Sequence, residues 1–110
     1  MKENSISLAH AQMRKGMLEF CTMLIIEKGE AYVSDLLKKL KEADLIVVEG
    51  TLYPLLSRLK SQGQLDYSWE ESKAGPPRKY YSLTSEGRKS LQEMKEIWKE
   101  LAQSINTLLK

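Results

Sequence analysis

The hydrophobic periodicity of this chain changes twice along its length. Across residues 13–62 apolar side chains recur at helical spacing, across 65–83 they alternate with polar ones, and across 84–110 the helical spacing returns. A chain of 110 residues builds one hydrophobic core rather than two. The order of the periods therefore predicts a single domain of the α+β class, mainly α with one small β-hairpin.

Three helices are predicted before the hairpin. The first covers Met13–Lys28, and its apolar residues surround so much of the helix that we expect burial on more than one side. The second covers Tyr32–Glu42 and the third Gly50–Gln62, each with one leucine-rich stripe. Pro54 is expected within the first turn of the third helix, where amide groups have no helical partners.

The hairpin is predicted from two short strands that cover Leu65–Glu70 and Arg78–Leu83. Between them Glu71–Pro77 is expected to form a long loop, because its glycine and two prolines disfavour regular structure.

A long terminal helix is predicted to begin after Thr84, which suits the N-cap position. Its apolar residues are spaced alternately three and four apart, the heptad pattern of a helix that packs lengthwise on another. At 1.5 Å per residue it spans roughly 39 Å, too long for so small a domain to cover alone. We therefore predict a homodimer whose interface contains Leu91, Met94, Trp98, Leu101, Ile105 and Leu108.

Composition excludes several classes of protein. The chain has one cysteine, Cys21, and one histidine, His10, so no disulfide framework, triad or metal cluster can be assembled, and we expect no enzyme activity, metal or cofactor. The longest nearly continuous apolar run, Cys21–Ile26, is too short to span a bilayer, and no signal peptide is evident, so a cytoplasmic protein without a membrane partner is expected.

Charge favours an anionic partner for one part of the chain. The net charge is only +2, but residues 51–89 carry seven basic against four acidic side chains. A local positive excess of this kind attracts polyanions such as nucleic acids.

Three helices followed by a hairpin form the winged helix-turn-helix arrangement, predicted here over residues 1–83. Residues 84–110 are then the dimerisation helix, which we expect to pack on the first helix within the same structural domain. In this arrangement the third helix reads DNA. With its leucines toward the core it exposes Tyr53, Ser57 and Arg58, whose hydroxyl and guanidinium groups suit phosphates and base edges. The hairpin adds the cations of Lys73, Arg78 and Lys79.

Two long motifs carry a resemblance to a known family. GTLYPLL at residues 50–56 and GPPRKYY with the following LT and EG at residues 75–87 resemble the PadR family of bacterial transcriptional regulators. The likeness runs from about Lys15 to Leu109. The single terminal helix is similar to the compact subgroup of that family.

The resemblance implies a dimeric repressor that binds a palindromic operator in double-stranded DNA. By that analogy Thr51, Tyr53 and Arg58 contact the operator, and Arg78 and Lys79 contact its backbone. Tyr32 and Ser34 match positions at the start of the second helix that bind phosphate, aided by the helix dipole. The alternative from the residues alone is a dimeric adaptor that uses the same fold to bind another protein and not DNA.

Trp98 suggests a ligand site, because two such residues across a two-fold axis can sandwich a flat aromatic effector. In this respect the chain is similar to multidrug-sensing PadR proteins, whose terminal helix carries a tryptophan at the same distance from the RKYY strand. First-helix residues would line the site opposite, namely Met13, Gly16, Met17, Glu19 and Phe20. The alternative is that Trp98 only packs in the interface.

Overall fold

The computed structural model of the chain describes residues 8–10, 12–45, 47–72 and 75–110. The elements follow one another as α1 (Met17–Glu27), α2 (Val33–Glu42), α3 (Glu49–Ser61), β1 (Leu65–Ser72), β2 (Gly75–Leu83) and α4 (Ser85–Leu109). Residues 8–10 and 12–14, ahead of α1, are helical as well. The predicted class, mainly α with one hairpin, is confirmed.

One cluster of buried apolar side chains holds these elements together. The leucine stripes predicted for the second and third helices are part of it, and Leu36, Leu52 and Leu56 are fully buried. Burying one such side chain contributes about 1.5–3 kcal/mol. Met23 of α1 and Leu91 of α4 join the same cluster. Leu91, expected at the dimer interface, therefore belongs to the core of the single chain.

The first helix is shorter than predicted. It begins at Met17, because Gly16 adopts a left-handed backbone with φ of 90° and separates α1 from the helical residues before it. A side chain disfavours that conformation, whereas glycine adopts it freely. Periodicity did not reveal the break because apolar residues continue on both sides.

Pro54 also differs from its expected place. Helix α3 starts at Glu49, so the proline lies beyond the first turn, inside the helix. It removes one amide donor from the helical ladder, which costs about 3 kcal/mol in an unsupported helix. The burial of Leu52, Leu55 and Leu56 on the same helix offsets that cost.

The strands of the hairpin are longer than predicted, and the loop expected at Glu71–Pro77 is wrong for residues 71–72 and 75–77, which belong to the strands. β1 and β2 pair antiparallel from Leu65 opposite Leu83 to Ser72 opposite Gly75, with an irregularity between Glu70 and Ser72. Only residues 73–74 separate the two strands. A two-stranded sheet has an open edge on each side, where a proline without an N–H is tolerated.

Thr84 fastens the start of α4 to the turn that follows α3. Its Oγ1 accepts a hydrogen bond from the N–H of Gly87 at 2.9 Å and donates one to the carbonyl of Gly63. Its own N–H donates to the carbonyl of Gln64 at 3.1 Å. The predicted N-cap is confirmed. Farther along, the Nζ of Lys95 lies 2.9 Å from a carboxylate oxygen of Glu27, which joins α4 to the end of α1.

The second half of α4 lies exposed. Trp98 is 45% exposed, Leu101 50% and Ile105 52%, and Leu108 is still more exposed, whereas Met94 is half-buried against the core. No helix in the described part of the chain is both long enough and apolar enough to cross a membrane.

Gly87 is the position at which α4 packs tightly against the backbone that follows α3. A Cβ at this position would collide with the backbone carbonyl of Gln64, whereas a Cβ at Gly50, in the first turn of α3, would meet open space. We expect Gly87→Ala to lower the free energy of unfolding by about 2 kcal/mol, since backbone cannot yield to a new methyl group. Chemical denaturation followed by circular dichroism measures this.

Gly50→Ala is the matched control and should leave stability unchanged or raise it, because alanine favours helices over glycine. A Gly87→Ala protein as stable as the wild type would show that the two backbones are farther apart than described.

Candidate nucleic-acid interface

A cavity of about 420 Å³ lies where the starts of α2 and α3 meet the hairpin. It brings together residues far apart in the sequence, many of them predicted as DNA contacts. Its lining consists of Tyr32, Val33, Ser34, Glu49, Tyr53, Trp69, Pro77, Arg78 and Lys79. Of these, Val33, Glu49, Trp69 and Pro77 were not singled out as site residues by the sequence. Lys73, another predicted contact, lies outside the described residues.

Backbone pairing between Ala31 and Tyr81 builds this cavity. The N–H of Ala31 donates to the carbonyl of Tyr81 at 3.1 Å, and the N–H of Tyr81 donates back at 2.8 Å. The start of α2 is thereby held against β2, and the centre of the Tyr32 ring lies 4.6 Å from that of Tyr80, with the two rings tilted by 42°. Asp35 accepts a hydrogen bond from the N–H of Tyr32 at 3.0 Å and so fixes the first turn of α2.

Aromatic rings position the cations of the hairpin. The guanidinium of Arg78 lies 5.7 Å from the centre of the Tyr32 ring. The Nζ of Lys79 lies 4.5 Å from the ring of Tyr67 and 5.5 Å from that of Trp69. Each such contact is worth about 0.5–1 kcal/mol at an exposed site. Neutral aromatic rings therefore position the two positive charges beside the cavity.

The phenols of β2 add no negative charge to this surface. Burial raises the pKa of Tyr81, and the neighbouring Tyr53 and Tyr67 add to the rise. Desolvation also raises the pKa of Tyr80, with a further contribution from carboxylates, of which Glu30 is the largest. Both hydroxyls therefore stay protonated at neutral pH.

The exposed face of α3 carries the side chains that the sequence placed there. Thr51, Tyr53, Ser57 and Arg58 are all exposed, opposite the leucine stripe. The hydroxyl of Ser61 donates to the backbone carbonyl of Ser57 at 3.0 Å, and the hydroxyl of Ser57 takes no part in that bond.

Arg58 has a partner that the sequence did not reveal. Its Nη2 lies 3.1 Å from a carboxylate oxygen of Glu19 on α1, and both side chains are partly exposed. Glu19, which was predicted to line a ligand site opposite Trp98, lies beside the exposed face of α3. An ion pair of this exposure contributes little stability, and a phosphate can compete for the guanidinium.

A second cavity, of about 620 Å³, lies on the other side of α3. Thr51 and Arg58 line it together with Arg14 and Lys15, two cations that sequence reasoning passed over. The left-handed turn at Gly16 brings this preceding segment alongside α3. Positive charge thus borders the exposed face of α3 on two sides.

The predicted ligand residues are distributed over different surroundings. Phe20 is buried in the core of the single chain. Met17 is half-buried against that core, and Met13 is 81% exposed. Trp98 lies on the exposed half of α4.

Cys21 has no features of a reactive thiol. It is half-buried, and burial raises its pKa, so it is a neutral thiol at neutral pH. Among the described residues no group of histidine, cysteine, aspartate or glutamate side chains is arranged to hold a metal ion.

Comparison with known proteins supplies the context for this surface. Residues 23–93 match the model of the transcriptional regulator PadR-like family. A PadR-like transcription factor from Bacteroides fragilis is 58% identical, with 91% of this chain and 97% of that chain covered and a TM-score of 0.78. A PadR family transcriptional regulator from Eggerthella lenta is 32% identical, with 99% and 96% covered and a TM-score of 0.89.

A third structure is that of Bacillus subtilis PadR in complex with operator DNA. It is 22% identical, with 72% of this chain and 46% of that chain covered and a TM-score of 0.66, and it shares the fold. The helices and hairpin described above are those of a winged helix.

Proposed function

The chain belongs to the PadR-like family of transcriptional regulators, which are not enzymes, and we propose that it is a dimeric repressor that binds an inverted-repeat operator in duplex DNA. One observation carries the proposal: hydroxyl and cationic side chains from α2, α3 and the hairpin converge around a single cavity. As a regulator of bacterial DNA it would act in the cytoplasm.

The division of contacts follows from the shape of the surface. Helix α3 enters the major groove, where Thr51, Tyr53, Ser57 and Arg58 reach base edges and phosphates. Arg78 and Lys79 bind the phosphate backbone, which fixes the position of the protein without reading sequence. Tyr32 and Ser34, at the positive end of the α2 dipole, bind a further phosphate.

Arg78→Ala and Tyr53→Ala should each weaken operator binding at least tenfold while leaving the dimer intact. For Arg78→Ala the slope of log affinity against log salt should also become shallower by about one, because one phosphate contact is lost. A mobility-shift titration at several salt concentrations measures both effects, with an inverted-repeat duplex selected by the wild-type protein from random sequence.

Arg88→Ala is the matched control, since Arg88 is exposed on α4 and does not line the cavity. It should bind as the wild type does. If Arg78→Ala and Tyr53→Ala also bound normally, the assignment of α3 and the hairpin to DNA would be wrong, and failure of the wild type to bind any duplex would favour a protein-binding adaptor.

The exposed half of α4 supports the dimer. Trp98, Leu101 and Ile105 are each about half exposed, and together with Leu108 they form a stripe that water would otherwise cover. Apolar patches of this kind mark interaction surfaces, and the heptad spacing suits a second copy of the same helix. A two-fold dimer would set its α3 helices about 34 Å apart, one turn of DNA, and so require an inverted repeat.

Leu101→Asp should convert the protein to a monomer at micromolar concentration, because a carboxylate would be buried without a partner in the interface. Operator affinity should fall about a hundredfold, as each half-site must then be bound separately. Sedimentation velocity and the mobility shift measure the two consequences. Gln103→Asp, an exposed position off the stripe, should leave both unchanged. A dimeric Leu101→Asp protein would exclude this interface.

For the effector, we propose a planar aromatic compound that stacks between the two Trp98 side chains of the dimer. Met13, which is exposed just ahead of α1, would give the site a flexible apolar lining, and such a lining suits ligands of varied shape. Binding would change the angle between the two α4 helices and hence the spacing of the α3 helices, which releases the operator.

The chain has two tryptophans, so each can be observed alone. In a Trp69→Phe protein, ethidium or rhodamine 6G should quench the emission of Trp98 in a saturable manner at micromolar concentration. In a Trp98→Phe protein, which reports only on Trp69, the same dyes should give no saturable quenching. Absence of quenching in the first protein would make Trp98 an interface residue only.

A further inference from the structure

Trp69 is the most exposed aromatic side chain of the hairpin, at 61%, and it is not among the DNA contacts proposed above. Exposure of an indole is costly, because the large apolar ring stays in contact with water. Yet the ring is held in place. Tyr67 contacts it edge-on at a centroid distance of 6.1 Å, and Lys79, its partner across the strands, lies above it.

The surroundings of Trp69 select the chemistry of its partner. The indole lines the same cavity as Arg78 and Lys79, whose charges require an anion, and one carboxylate, Glu49, belongs to that lining. Pro77 and Tyr53 add further apolar surface. A partner must therefore combine negative charge with an apolar face. The sugar-phosphate backbone of DNA has both, since each phosphate is flanked by deoxyribose carbons.

A second copy of this chain fits the cavity less well. The exposed apolar stripe on α4 is a separate surface without this concentration of cations. The cavity, in contrast, is continuous with the exposed face of α3 through Tyr53, which belongs to both.

We propose that Trp69 contacts duplex DNA, with its indole packed against a deoxyribose next to the phosphates that Arg78 and Lys79 bind. This inference rests on the proposed function and adds an uncharged contact to it. The contact is independent of base sequence, so it operates on operator and non-operator DNA alike. Because the indole ring is already held in position on the hairpin, this contact would add binding free energy that salt does not screen.

Trp69→Ala should weaken binding to a mixed-sequence duplex of about 30 base pairs roughly tenfold, because the apolar area that the indole buries against the sugar is lost. The slope of log affinity against log salt should stay at the wild-type value, because no charge is removed. Arg78→Ala is the contrasting variant, which changes the slope. Trp69→Phe should retain most of the affinity, which separates stacking from a specific need for the indole.

Fluorescence tests the contact without removing it. In the Trp98→Phe protein, Trp69 is the only tryptophan, and the duplex should shift its emission to the blue and protect it from acrylamide. The DNA concentration that gives half of this fluorescence change should equal the one that gives half of the mobility shift of the same protein. The Trp69→Phe protein, which reports on Trp98, should show no such protection.

Three results would overturn the inference. The first is an unchanged accessibility of Trp69 at DNA concentrations that saturate the mobility shift. The second is wild-type affinity of a Trp69→Ala protein whose circular dichroism is unaltered. The third is protection of Trp69 by a planar aromatic anion such as 1-pyrenesulfonate and not by DNA. Absence of any mobility shift with the wild-type protein would instead refute the proposed function itself.

Discussion

Two hydrogen bonds between Ala31 and Tyr81 hold the start of α2 against β2, and the candidate DNA surface depends on them. Both residues are almost fully buried, so water does not compete for the bonds. Because the helix starts at this bridge, the ring of Tyr32 contacts that of Tyr80 and lies under Arg78. Without this bridge, the hairpin that carries the guanidinium of Arg78 would not be fixed relative to α2. The helical part of the fold and the wing thus form one body.

Periodicity predicted the helices and their buried faces well, because leucine spacing on α2 and α3 records which side faces the core. It did not predict the start of α1, since the left-handed turn at Gly16 depends on one backbone angle and leaves no trace in the hydrophobic pattern. The hairpin tip was misjudged for a related reason. Pro76 and Pro77 break internal strands, and here they lie in a sheet of two strands that has only edges.

The candidate site was predictable as a set of residues and not as an arrangement. Motif resemblance selected Tyr53, Arg78 and Lys79, which the structure places around one cavity. It did not indicate that Glu19 pairs with Arg58, or that two rings support Lys79. Such contacts join residues distant in sequence whose types alone are ordinary on a protein surface. They emerge only when packing brings α1, α3 and the hairpin together.

The fastening of α4 at Thr84 has a mechanical consequence. This residue and Gly87 lock the start of the helix to Gly63 and Gln64, immediately after the end of α3. The 25 residues of α4 then extend for roughly 37 Å. Leu91 and the Lys95–Glu27 ion pair hold the first half of α4 on the core, so this helix and the end of α3 are expected to move together as one rigid unit. A tilt of about 10° of this unit moves the far tip of α4 by roughly 6 Å, so a displacement among the leucines at the tip becomes a much smaller displacement at the end of the helix that lies beside α3.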